Sequence, residues 1–128
     1  MDFRMKLLQL TERENHLIVI TRGLLDADEF RWIFRKVGET ARSLLDCMIL
    51  IDLEDAQLRL EPLDIHAIVD ALEPDRWSHR HRIAMVSAPE IDKFDPLYIL
   101  SAYLCGLGLK VAVFNETKSA ASWLGDVI

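Results

Sequence analysis

The chain has 128 residues, 51% of them hydrophobic and 28% charged, enough apolar material for one domain over residues 1–128 with a core of its own. Its 15 basic and 21 acidic residues leave a formal charge of −6, which opposes non-specific binding to nucleic acid or anionic lipid. The longest uncharged run, 96–109, falls short of the ~20 apolar residues that span a bilayer, and 1–10 lacks a secretory apolar stretch, so a soluble cytoplasmic protein is expected.

Two apolar runs, 5–10 and 16–21, flank the polar residues Thr11 to Asn15 and predict an antiparallel hairpin. Over 27–44 the period changes: Phe30, Ile33, Phe34, Val37, Ala41 and Leu44 recur at three and four residues, the pattern of an amphipathic helix. Asp26 or Asp28 can cap it. Residues 47–53, Cys-Met-Ile-Leu-Ile-Asp-Leu, read as a strand buried on both faces, ending where a polar loop begins. A second helix is predicted over 62–72, with Pro62 in its first turn and Glu61 and Asp64 near the positive end of its dipole. Leu63, Ile65, Ala67, Ile68, Val69 and Leu72 supply its buried side, and Glu73-Pro74-Asp75 stops it. Residues 82–87 form a fourth strand, 96–107 a third helix ended by Gly106 or Gly108, and 110–114 a fifth strand. Thr117 can cap a last helix carrying Ala120, Ala121, Trp123, Leu124 and Val127. The order β-β-α-β-α-β-α-β-α predicts an α/β fold, a five-stranded mixed sheet with parallel crossovers covered by about four helices.

The words Ile-Leu-Ile-Asp-Leu at 49–53, Arg-Ile-Ala-Met-Val at 82–86, Val-Ala-Val-Phe-Asn-Glu from 111 and Ala-Ala-Ser-Trp-Leu ending at 124, in this order of elements, resemble the STAS fold. The likeness is to its SpoIIAA-like branch of small bacterial domains. It implies a non-enzymatic, regulatory role in protein binding, switched in anti-sigma-factor antagonists by phosphorylation of a serine at the start of the second helix. Counting from Asp52, that place falls at Glu61, and no Ser, Thr or Tyr occurs from Leu44 to Trp77. No phosphoacceptor is therefore expected, and a single carboxylate copies a phosphate poorly.

The remaining candidate sites carry weaker signals. Asp52, Glu54, Asp55, Glu61 and Asp64 crowd an expected loop after the third strand, where doubly wound folds place ligands. The acids and lysine of a receiver domain are missing elsewhere, so the loop reads as solvated and partner-facing, with no metal site. Arg76, His79, Arg80, His81 and Arg82 read as a solvated connection with Trp77 on the core, His16 and His66 as partly buried structural residues, and Cys47 and Cys105 as reduced core thiols. Gly106-x-Gly108 ends a helix instead of opening one, which disfavours a dinucleotide site, and no cofactor is implied.

The third helix is the oddity, because no charge occurs along 97–107 and only one face is needed against a sheet. The other face calls for cover: helices of the same chain, a second copy of it, or a lipid-like ligand. The expected binding residues are Leu97, Leu100, Ser101, Tyr103 and Leu104, with Glu61 and Asp64, for a protein partner or a homodimer. A pocket for a lipid or other apolar molecule is the alternative, lined by Leu97, Leu100, Tyr103 and Leu104 with Phe30, Trp32 and Phe34. An enzyme using the acidic loop and His66 is the least supported class.

Overall fold

The computed structural model describes residues 7–13, 16–43, 48–72, 81–88 and 95–125. Among these residues nine elements follow in the expected order: β1 (Leu7–Arg13), β2 (His16–Asp26), α1 (Ala27–Arg42), β3 (Met48–Arg59), α2 (Asp64–Leu72), β4 (Arg82–Val86), α3 (Pro96–Gly106), β5 (Lys110–Phe114) and α4 (Thr117–Leu124). The strands form one sheet in the order β1-β2-β3-β4-β5. The expectation of a mixed sheet is sharpened: among the described residues β2 to β5 are wholly parallel, and the single antiparallel pairing is that of β1 with β2 at one edge.

Alternation along the strands sorts the core into two layers. Leu17, Val19, Ile49, Ile51, Ile83, Met85 and Val111 point to one face, where Phe30, Phe34 and Val37 of α1, Ile65 and Ile68 of α2, and Leu97, Leu100 and Leu104 of α3 cover them. Leu50, Ala84 and Val86 point to the other, under Ala120 and Leu124 of α4. A sheet that adds parallel strands always on the same side, through right-handed crossovers, must put all its crossover helices on one face. That is why α1, α2 and α3 lie together and α4, which follows the last strand, is free to cross over.

The helix ends show local chemistry at work. Of the two candidate caps for α1, Asp26 is the one used, its Oδ1 accepting the Glu29 N–H at 3.0 Å. Five of the six predicted core residues of α1 are buried, and the sixth, Leu44, lies outside the described residues. α2 starts later than expected: Pro62 and Leu63 form a turn in which the Asp64 carboxylate accepts the Glu61 N–H at 2.7 Å. Leu63, expected in the core, is 89% exposed as a result. Thr117 does not cap α4; it is the first helical residue, and its hydroxyl donates to Glu54 Oε1 at 2.6 Å.

The largest departure concerns the hairpin linker and the acidic loop. β1 runs on to Arg13 and β2 on to Asp26, while β3 does not stop at Leu53 but continues to Arg59. Between Ile20↔Asp52 and Arg22↔Asp55, β2 advances two residues and β3 three, a β-bulge at residues 53 and 54. The bulge switches parity, so the inward positions 49, 51 and 53 are followed by 56, 58 and 60. Beyond it β2 and β3 go on pairing with each other as a ribbon, through Asp26↔Arg59.

Candidate functional site

The predicted acidic loop is thus a strand. Asp52, Glu54 and Asp55 stand on β3, Glu61 precedes the turn that leads into α2, and Asp64 is the first residue of α2. At about 3.3 Å per residue, the strand separates Asp52 from its end at Arg59 by about 20 Å, so the five carboxylates do not converge. Among the described residues, no three His, Cys, Asp or Glu side chains come together as metal ligands. The strand order also proceeds from β2 to β5 without reversing, so the crevice that opens at a topological switch point has no counterpart among the described residues.

Asp52 is, with Asp64, a half-buried member of the group. Burial raises its pKa from the ordinary 3.8, the nearby Glu54 and Asp55 add to the rise, and the Glu54 N–H donated to its Oδ1 at 3.0 Å opposes it. The fold therefore holds this proton more tightly than the unfolded chain does, and Asp52 subtracts stability as pH climbs above the ordinary carboxylate range. Asp52→Asn keeps an oxygen for Glu54 and removes the charge. Its melting temperature is expected to exceed the parent's at about pH 7 and to converge with it at about pH 3. Thermal melts over that range check this; a lower melting temperature at neutral pH would refute it.

α3 is built as a sheet-covering helix. Asp95 caps it, Oδ1 accepting the Leu97 N–H at 2.9 Å, Pro96 occupies its first turn, and Gly108, at φ 96°, turns the chain beyond its C-terminal end. Leu97, Leu100 and Leu104 are 0–1% exposed, and Ser101 is buried with its hydroxyl donating to the Val111 carbonyl at 3.4 Å. Four of the five α3 residues expected to bind a partner therefore hold the helix to the sheet. The fifth, Tyr103, lies outside with Tyr98, Ile99 and Leu107, which are 38–50% exposed, and with Ala102. This outer face carries no charged side chain.

Its flanks are marked by two polar contacts. The Tyr103 hydroxyl lies 3.3 Å from His66 Nδ1 on α2, with the rings edge to face at 5.2 Å between centroids. On the other flank Cys105 Sγ donates to the Val111 carbonyl at 3.2 Å. Both residues correct the sequence reading, since His66 and Cys105 are exposed. His81 departs in the opposite sense: it is buried, and its Nε2 donates to the Ala41 carbonyl at 3.1 Å, tying the end of α1 to the start of β4. Arg76, Trp77, His79, Arg80 and Cys47 lie outside the described residues.

Apart from the exposed Tyr103 and the partly buried Trp32, the residues expected to line an apolar pocket are core instead. Phe30, Phe34, Leu97, Leu100 and Leu104 belong to one buried cluster, with Trp32 packed against it. A notch of about 110 Å³ is found elsewhere, between the β3 part of the ribbon and the start of α3, and of the expected lining only Leu97 reaches it. No helix among the described residues is long and apolar enough to cross a membrane.

No family model matches the sequence, and no curated protein matches it. Among solved structures, that of an uncharacterised protein of the DUF3478 family from Shewanella loihica PV-4, described as having a SpoIIAA-like fold, covers 91% of this chain and 90% of its own. Its TM-score is 0.57 at 12% identity. The anti-sigma factor antagonist SpoIIAA in its unphosphorylated form covers 94% of this chain and 98% of its own, with a TM-score of 0.46 at 12% identity. Four parallel strands, a β1 hairpin at one edge, three helices on one face and a fourth on the other thus give this chain the α/β fold of the SpoIIAA-like, STAS type.

Proposed function

We propose that the chain is a non-enzymatic, regulatory protein-interaction domain that docks through the outer face of α3. The observation that carries this reading is the uncharged face of Tyr98, Ile99, Ala102, Tyr103 and Leu107 on a helix whose opposite side is fully used against the sheet. Large rings with polar tips are favoured at interface centres, where charged side chains are depleted. A stable complex buries about 800 Å² on each partner, more than this face alone offers, so the adjoining α2 with Glu61 and Asp64 forms the polar rim. Glu61 stands where the resemblance puts a switch serine, and docking proceeds without phosphorylation. The occupant is a second copy of the chain or another protein.

Tyr103→Glu tests this. Placing a carboxylate on the face is expected to weaken association by about tenfold or more, about 1.4 kcal/mol, while the half-exposed site leaves folding stability within about 0.5 kcal/mol of the parent. Sedimentation velocity and native mass spectrometry of protein from its own host read the outcome. Unchanged oligomer mass together with unchanged partner capture would sink the proposal.

A further inference from the structure

β3 outruns its neighbour. It has 12 residues against 5 in β4, and the ladder between them ends at Asp52↔Val86. Residues 53–59 go on pairing with β2, yet on their β4 side no strand among the described residues meets them. Directly after β4, Ser87 donates its N–H to the Phe114 carbonyl of β5 at 2.8 Å, on the side away from β3. In a parallel ladder, backbone groups point alternately to the two sides of a strand, so about half of those in 53–59 face this edge. One is closed locally, because the Asp52 carboxylate takes the Glu54 N–H. The others, which no strand among the described residues meets, form a template for another strand.

The notch of about 110 Å³ lies directly against this edge. Leu53, Ala56, Leu58, Ala88 and Leu97 give it an aliphatic lining, which Ser87 and Asp95 complete with polar groups. Glu54 and Asp55 are exposed on the same stretch of β3, Glu54 accepting from the Thr117 hydroxyl on the α4 side of the sheet, and Arg59 is the one cation in residues 53–59. An acidic edge repels the same edge of a second copy, which makes this chain a poor occupant, and attracts basic side chains. We infer that the projecting edge of β3 accepts an extended peptide segment of a partner protein as an added strand. One aliphatic side chain fills the notch, and basic residues alternate with the apolar ones. Main-chain ladder bonds supply affinity here, while the notch and the acids supply selectivity.

The test uses a blocked heptapeptide, Lys-Val-Lys-Leu-Lys-Val-Lys, an analogue with Glu for every Lys, and one with Pro for both Val, each titrated into the isotope-labelled full chain. The Lys peptide is expected to shift the amide signals of 53–59, slow their exchange with solvent, and bind at least about tenfold more tightly than either analogue. Ala56→Leu, which fills the notch at a half-buried position, is expected to weaken it by about tenfold, and Tyr103→Glu to leave it unchanged. That last variant separates this edge from the α3 face. Equal binding of the Pro peptide, shifts confined to another surface, or no shift at about 1 mM peptide would overturn the inference.

Discussion

Leu100→Ala is expected to cost about 2–5 kcal/mol of folding stability, read as a fall in the urea midpoint without a large change in slope. Leu100 is 0% exposed and belongs to the cluster that joins α3 to the sheet and to α1 and α2. Removing the buried Cγ and its two methyl carbons loses their transfer free energy and leaves a cavity that the rigid sheet below cannot close. The contrast with Tyr103, three residues along the same helix and 38% exposed, gives the experiment its force. One substitution is expected to weaken the fold and the other an association. A stable Leu100→Ala protein would mean that α3 does not dock as described.

Gly23→Val is expected to cost about 1–3 kcal/mol, again read from chemical denaturation. Gly23 lies in β2 at φ 88°, opposite Ala56 of β3, just past the bulge. Only glycine takes this conformation without strain, and a β-branched side chain suffers most there. Gly23→Ala is expected to recover part of the loss. Because the position belongs to the ribbon, faster exchange of the amides at 22–26 and 54–59 should accompany the destabilisation. Wild-type stability in Gly23→Val would show that the ribbon does not need this backbone.

What could be read from the sequence, and what could not, follows from the strength of each local pattern. α1 interleaves charges with Phe30, Ile33, Phe34, Val37 and Ala41 at helical spacing, and all five are buried. Ile49, Ile51 and Leu53 mark the buried half of β3 equally well. Its second half, Glu54-Asp55-Ala56-Gln57-Leu58-Arg59, looks like a loop because the bulge breaks the parity and charges hide a weaker alternation. Ala56, Leu58 and Leu60 were the available signal, two residues apart with polar residues between them. In α3 the difficulty was reversed. Both faces are apolar, so hydrophobicity alone did not separate Leu97, Leu100 and Leu104, which face the sheet, from Tyr98 and Ile99, which do not. The burial of His81 had no sequence signal, since its partner is a backbone carbonyl 40 residues away.

The strands stand side by side in the order in which they occur along the chain. During synthesis, each new strand therefore leaves the ribosome when the edge it will join has already been made, and none has to be threaded later between two settled neighbours. Loop closure is confined to one crossover at a time, which keeps its entropic cost low at every stage. The nascent sheet grows along a single front, from β2 to β5, so translation and assembly run in the same direction.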